Sequence, residues 1–531
     1  MSRLKGDLKK ILGSLPLTAE LDFKLRRKGE RKRGFRLERL EKSLEAWCEQ
    51  TGKSEFMHQA GKKVFIFSTL PYWMEHAALL GLALAGVGHT VNYGYLPFRN
   101  WQKSENDFDL RQSNLYTKEL IGKAEAYLNP ISFLDVNQRK KLPPELQHEI
   151  EQISVRDVQY TEQLEEVSLD SELYKLRLAR NFPLAEKALF WLGVNKPDVI
   201  IVPNGLILEF GVFYQVGKHL GIPVVSYEFG EQRDRLWLSN EREVMIQDTG
   251  KMWAGRKEKA FDEEALQNIK ALFASRKGAD LWNNFYRKWQ DLPIEGEDKV
   301  KEKLGLDNRP IVMLAANVIG DSLTLGRQVF SGSMTAWLGK VLNYFAETDE
   351  VQFLLRAHPG ERNLEGPGVI DVANEILPDT PEHFRLLGPD APVNTYDLIK
   401  IADLGMTYTT TVGMEMAMSG LPVIVVGETH YRGKGFTMDP ESWEDFEMML
   451  AETLKAPEKL KPTEEKIQEA WHYAYRFFFD YPHQFPWHLI HLDEDIENWP
   501  LNKVLNADGL AIFQKTFDYL VGEPVDWHAM A

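Results

Sequence analysis

Residues 402–436 read ADLGMTYTTTVGMEMAMSGLPVIVVGETHYRGKGF, and this stretch decides the fold. Residues 402–408 form a mostly apolar run of strand length. Thr409, Thr410 and Thr411 then offer hydroxyls where a helix must begin and its first N–H groups lack partners. Gly413 lets a ligand approach the backbone. Glu415 sits about one turn into the helix, near its positive end. Gly420 and Pro422 stop the helix. Residues 423–426 are a continuous β-branched run, as in a parallel strand covered on both faces. A helix start at the carboxyl end of a parallel strand is a ready anion site, so the stretch is expected to hold a phosphate.

The same alternation recurs along the chain. Residues 61–98 (GKKVFIFSTLPYWMEHAALLGLALAGVGHTVNYGYLPF) read as strand 64–67, loop, helix 74–85 and a second strand from 89. The strand-to-helix turn lacks a GxGxxG fingerprint, which argues against a dinucleotide cofactor there. Glu75 and His76 either face a substrate or pad the first turn of the helix. Residues 99–195 read as helical insertions, with helices at 142–153 and 171–192. Residues 196–235 return to the pattern, with strand 199–202, the Asn204 turn, helix 209–220 and strand 222–227. Glu228, just past that strand, is the first choice for a catalytic carboxylate in this half, the competing reading being a structural pair with Arg233 or Arg235. Glu231 and Arg233 stand beside it as acceptor-side residues, together with Asn204.

A second domain opens with strand 310–315, whose end carries Asn317 and Asp321. Helix 333–345 leads to strand 351–355, which ends in Arg356-Ala357-His358-Pro359-Gly360-Glu361. Pro359 fixes its own φ and restricts His358 before it to extended geometry. A short strand at 385–387 precedes the opening stretch. In the aromatic tail, Trp471, Tyr475, Phe478 and Phe479 recur at helical spacing and read as core. His483, His488, His491, Asp493 and Asp495 match no metal-ligand spacing, and no metal is expected.

At 531 residues the chain exceeds one ordinary core. The expected organisation is a basic helical arm (1–60), an acceptor-side domain (61–245), a helical linker (246–305), a donor domain (306–445) and C-terminal helices (446–531) packing back across the domains. The one cysteine, Cys48, excludes an intramolecular disulfide. The longest apolar stretch, residues 77–87, is too short to span a bilayer, and no signal peptide is apparent. A cytoplasmic location is expected. The net charge of −16 argues against nucleic acid as a partner. Residues 1–43 nevertheless hold fourteen Lys/Arg against six Asp/Glu. That arm is either a solvated helix or a peripheral contact with an anionic membrane.

Two halves with polar strand ends suit a nucleotide-activated sugar. Its phosphate would be met by helix N–H groups, threonine hydroxyls, Arg356 and His358, and its ribose by Glu415. The acceptor hydroxyl needs a base from the first half: Glu228, Glu231, Glu75 or His76. Residues 431–436, with Arg432 and Lys434, would close over the donor.

These residues resemble the GT-B glycosyltransferases of the capsule polysaccharide biosynthesis type, the group that includes Kdo transferases. The resemblance rests on Asn317…Asp321-Ser322, on the Arg356–Glu361 run, on Thr411-Val412-Gly413-Met414-Glu415, on Gly420-Leu421-Pro422-Val423 and on residues 431–436. The turn at Asn204-Gly205 and Tyr227-Glu228-Phe229-Gly230 are similar to first-domain elements of the group. The resemblance implies an α/β fold, GT-B-like, of two Rossmann-like domains facing a central cleft; the helical insertions and the aromatic helical C-terminal tail, read from the sequence, lie outside it. It also implies sugar transfer from a CMP- or UDP-type donor to a surface polysaccharide or glycolipid, without metal or cofactor. Alternatives are a nucleotide-sugar epimerase of similar fold and a non-catalytic glycan-binding scaffold of an export assembly.

Overall fold

The computed structural model describes residues 9, 11–25, 34–277, 292–363, 366–455 and 461–529. Much of the basic run of the arm, residues 26–33, lies outside them, as do residues 278–291 of the expected linker. The chain forms two compact units. One comprises residues 1–157, 168–245 and 483–525; the other comprises residues 158–167, 246–482 and 526–531.

The first unit is built on a seven-stranded sheet. Its strands are β1 (Lys63–Thr69), β2 (Thr90–Leu96), β3 (Leu128–Ser132), β4 (Val199–Pro203), β5 (Val224–Glu228) and β6 (Arg235–Ser239), completed by β12 (His483–Gln484). The order is β12-β6-β5-β4-β1-β2-β3. The strands from β5 to β3 are parallel, whereas β6 runs antiparallel to β5 and β12 antiparallel to β6. β1 and β4 are buried along nearly their whole length, which their unbroken apolar sequences require of strands covered on both faces. Helix Pro71–Gly86 is buried almost all round, consistent with a segment that carries no polar stripe.

The second unit holds five parallel strands: β7 (Ile311–Ala315), β8 (Gln352–Arg356), β9 (Phe384–Leu387), β10 (Leu404–Thr407) and β11 (Val423–Val425). Their order is β11-β10-β7-β8-β9. Register is continuous, for example Leu314 beside Leu355 and Met406 beside Leu314. Trp337, Val341 and Phe345 of helix Met334–Ala346 pack over Phe353, Leu355 and Met406 in its core.

Counted from the first strand of each, the five parallel strands of both sheets have the doubly wound order 3-2-1-4-5. The winding reverses between β1 and β4 in one and between β7 and β10 in the other. Ligands of such sheets collect at the carboxyl ends of the strands flanking that reversal. Three strands have no counterpart in the sequence reading. β3 (LNPIS) contains Pro130, tolerable because the strand is at the edge of the sheet. β6 and β12 are short, and β12 pairs through only His483 and Gln484. The tail is helical at Glu464–Tyr475, Leu492–Asn498 and Ala507–Leu520, with β12 between the first two.

Candidate functional site

In the second unit the strand reversal is tied by a side chain. Asn317, just past β7, accepts a hydrogen bond through Oδ1 from the Thr409 N–H, just past β10, at 3.0 Å. The Thr409 hydroxyl donates to the Leu323 carbonyl at 2.9 Å. Asn317 and Thr409 therefore act on one another at the place where an open sheet binds ligands. Asp321 holds the following turn, its carbonyl accepting from Thr324 N–H at 2.8 Å.

The helix start after Thr411 departs from the expected geometry. The helix is short, Val412–Met418, and Thr411 makes no side-chain cap. Gly413 N–H donates to the Thr410 carbonyl and Met414 N–H to the Thr411 carbonyl, each at 3.1 Å. A tight turn thus satisfies backbone donors that the sequence suggested were open. Thr410 Oγ1 accepts a long hydrogen bond of 3.5 Å from Val412 N–H. Gly413 is required by packing: a Cβ there would collide with the Tyr431 hydroxyl and lie 2.7 Å from Thr407 Oγ1. Tyr431 is fully buried and donates to the Thr410 carbonyl at 2.7 Å.

Glu415 is 3 % exposed, and its Oε1 accepts from Arg276 Nη2 at 2.9 Å. Its Oε2 is buried and has no hydrogen-bond partner. A carboxylate oxygen in that state is costly unless a ligand donates to it. Arg276 ends helix Glu263–Lys277, with its guanidinium 5.6 Å from the Phe273 ring and 5.8 Å from the Phe478 ring. Tyr396 belongs to the same group. Burial, and then the charge of Glu415, hold its hydroxyl well above the usual range.

His358 follows β8. Its Nδ1 accepts from Gly360 N–H at 3.0 Å, so the neutral ring carries its proton on Nε2. Burial, then the charges of Arg356 and Arg276, push its pKa down to about 4. The ring is neutral at pH 7, in a field set by two guanidiniums. Arg356, 2 % exposed, donates to the Gly388 carbonyl, and burial lowers its pKa to about 10. Glu361 accepts from Val369 N–H at 3.3 Å and so caps helix Val369–Ile376. Burial raises its pKa to about 7.

Arg432 and Lys434 sit in a loop pinned to the protein itself. Arg432 donates to the carbonyls of Val425 and Pro440 and to Glu441. Asp439 holds Gly433 N–H at 2.7 Å. Burial lowers the pKa of Lys434, against the charges of Asp248 and Asp439. The aromatic tail supports this region from beneath. Trp471 Nε1 donates to the Met418 carbonyl at 3.0 Å, and Phe477 stacks on His430 at 3.7 Å.

In the first unit, Asn204 and Glu228 meet at the ends of β4 and β5. Asn204 Nδ2 donates to Glu228 Oε2 at 3.3 Å, and Phe229 N–H to Glu228 Oε1 at 3.0 Å. Asn204 has φ +57°, a conformation that Asn tolerates better than most residues. Arg233 pairs with Asp495 at 2.6 Å and Glu494 at 2.9 Å. Glu231 is half-buried beside it in sequence. Glu75 is bound on both oxygens by Arg39, from its N–H and its guanidinium, each at 2.8 Å. His76 is fully buried among Trp73, Tyr227 and Phe229, 3.2 Å from the Trp487 carbonyl. Burial holds its pKa near about 3. In this structure Glu75 is an ion-pair anchor and His76 a packing residue.

The site of the second unit thus brings His358, Arg356 and Glu415 into one electrostatic group through Arg276. Sequence reading missed Arg276 and Tyr396. Arg276 lies in a charged helical segment that resembles a linker, and nothing within that segment marks it. Among the described residues, no three His, Cys, Asp or Glu side chains are grouped as metal ligands.

No family model matches the chain, and no curated protein matches it. Among solved structures it is similar to the β-Kdo 2,4 transferase of KpsC from Thermosulfurimonas dismutans, at 15% identity and a TM-score of 0.35 over 54% of this chain and 82% of that one. The β-Kdo 2,7 transferase of the same KpsC gives 14% identity and a TM-score of 0.33, over 62% and 97% of the two chains. A UDP-GlcNAc 2-epimerase from Neisseria meningitidis gives 12% and 0.26, over 79% and 98%. At these TM-scores the likenesses decide no function for this chain.

Proposed function

We propose that the protein is a glycosyltransferase moving a sugar from a CMP- or UDP-type donor to a surface polysaccharide or glycolipid acceptor. The observation that carries this reading is the group around Arg276. A neutral histidine under two guanidiniums lies with a carboxylate that has one buried, unsatisfied oxygen. A nucleotide-sugar presents the complementary parts, a phosphate for the cationic end and ribose hydroxyls to donate to Glu415 Oε2.

In the transfer, the acceptor oxygen forms a bond to the anomeric carbon while the bond from that carbon to the donor phosphate breaks. The phosphate leaves with the electron pair. Its charge is met by Arg356, Arg276 and the Nε2–H of His358, which hold it without a proton transfer. The acceptor proton passes to a carboxylate of the first unit, for which Glu228 is proposed. No cofactor enters this scheme, and a metal is not needed for it.

The test is a screen of CMP-, UDP-, GDP- and dTDP-sugars by thermal shift and by release of free nucleotide. One nucleotide class is expected to stabilise the protein and to be turned over. Stabilisation by none of them, together with no turnover, overturns the proposal. Conversion of the donor to its epimer without transfer identifies an epimerase instead.

A further inference from the structure

The segment that leaves β4 holds left-handed backbone at Asn204, Gly205 and Leu208, with φ of +57°, +81° and +56°. The Gly205 N–H donates to the Pro203 carbonyl at 2.6 Å, which closes a three-residue turn centred on Asn204. A turn of this size with a positive central φ is the rare, strained form. Gly205 lets it press on β5: a Cβ there would lie 3.0 Å from both Ser226 and Tyr214. Asp157, accepting from Leu208 N–H, anchors the far end of the segment. Non-glycine residues in such conformations persist where their surroundings impose them, and they gather at functional sites.

Three hydrogen bonds impose the conformation at Asn204. Its N–H donates to the Tyr227 carbonyl at 2.8 Å, and its Oδ1 accepts from Leu206 N–H at 3.1 Å. Its Nδ2 donates to Glu228 Oε2 at 3.3 Å. The Leu206 contact decides which end of the amide faces Glu228: the oxygen is engaged inside the turn, so the NH2 group meets the carboxylate. Asn204 is 7% exposed, and both its side-chain polar atoms have partners within the protein. Such a residue acts on a sugar through Glu228 rather than by touching it. Glu228 is held on its other oxygen by Phe229 N–H at 3.0 Å. A carboxylate has about four lone-pair sites, so these two donors fix its plane without by themselves blocking proton uptake. We propose that Asn204 is a positioning residue. Its amide, locked by the left-handed turn, fixes the Glu228 carboxylate in the orientation that takes the proton of the acceptor hydroxyl. The O–H electron pair stays on the attacking oxygen. The inference rests on the sugar-transfer reading and adds to it the residue that orients the base.

The test uses two variants of the full chain. Asn204→Gly keeps the left-handed turn, which glycine adopts without strain, and removes the amide. Asn204→Asp puts a carboxyl where the donor was. With the CMP- or UDP-sugar that the parent turns over, Asn204→Gly should lower kcat for nucleotide release about tenfold or more. KM for that donor should stay within about twofold of the parent's. The second readout is isotope-edited titration of the Glu228 carboxyl, assigned with Glu228→Gln. Its pKa should be higher by about 1 in Asn204→Gly and higher still in Asn204→Asp. Loss of packing in the turn would not order the variants in this way. A Glu228 pKa unchanged in both variants overturns the proposal, and a fall in kcat beside it would place Asn204 on the substrate instead. A raised pKa with the kcat of Asn204→Gly equal to the parent's overturns it too. A parent that binds and turns over no nucleotide-sugar overturns the sugar-transfer reading itself, and this role with it, even where the titration still reports the hydrogen bond.

Discussion

His358 shows how a single side chain can be poised by its surroundings. Burial and two guanidiniums hold it neutral, with a pKa of about 4. A bound phosphate supplies the opposite charge, so the pKa should rise toward the ordinary histidine value when nucleotide binds. Titration of the His358 ring resonance with and without nucleotide checks this. His358→Ala should lower turnover by about 10² or more with the melting temperature preserved; near-normal turnover removes His358 from the mechanism. Glu361 gives a second prediction. Its folded pKa, about 7, lies above the ordinary carboxyl value of 4.5. The folded state therefore keeps this proton between those pH values while the unfolded chain has lost it, and stability falls as pH rises through the window. Glu361→Gln should remove that loss, worth at most about 3 kcal/mol at pH 8, as read by denaturant unfolding at pH 5 and pH 8. At Gly413, an added methyl would meet Tyr431 and Thr407. Gly413→Ala should cost about 1–3 kcal/mol, part of it recovered by Tyr431→Phe.

Among the elements, the turn from β4 into helix Leu208–His219 depends on a buried ionic network. Arg177, wholly buried, pairs with Asp157 and Glu209, each at 2.9 Å. Asp157 also accepts from Leu208 N–H, and Leu208 holds φ +56°. A branched side chain in the left-handed region persists only where its surroundings impose it. Arg177→Met would leave two buried carboxylates without their cation and should cost about 3–5 kcal/mol. Urea unfolding of the variant is the check, and a loss below about 1 kcal/mol would show that the network does not hold the turn. Asn204, whose side chain reaches Glu228, lies in that same turn.

Over the whole molecule, histidines partly or wholly removed from water contribute to the response to acid. His76 and His483 in the first unit are held near about 3, and His358 and His472 in the second near about 4, burial being the main cause in each. Each binds a proton more readily in the unfolded chain, so stability rises with pH up to about 6.5 and is lost below it. Glu361 opposes this, together with Glu75, Glu105, Asp157, Asp439, Glu469 and Asp495, whose carboxyl pKa values burial also raises. Both units should therefore melt at lower temperature at pH 5 than at pH 7. Calorimetry at the two values is the check, and equal melting temperatures would contradict the burial of these rings.

What the sequence determined by itself was the order of the central strands and the helices between them, because that order follows from local pattern, whereas the peripheral strands β3, β6 and β12 carry no such pattern. Continuous apolar runs at β1, β4, β7 and β8 match strands covered on both faces, and Gly420-Leu421-Pro422 matches a helix stop. The residues at the strand ends were legible for the same reason: Asn204, Glu228, Asn317, His358 and Thr409 follow directly from where each strand stops. The partner of each charge was not legible. Arg276 reaches Glu415 across 139 positions, and Arg39 joins Glu75 across 36 and Asp493 across 454. No local spacing encodes such pairs. Tertiary structure alone decided that Glu75 and His76 are held within the fold, that a side chain at Gly413 would meet Tyr431 and Thr407, and that Glu415 keeps one oxygen unsatisfied. The physical reason is that desolvation and charge depend on what the folded chain brings within a few ångströms, whereas strand and helix depend on the residues next in line.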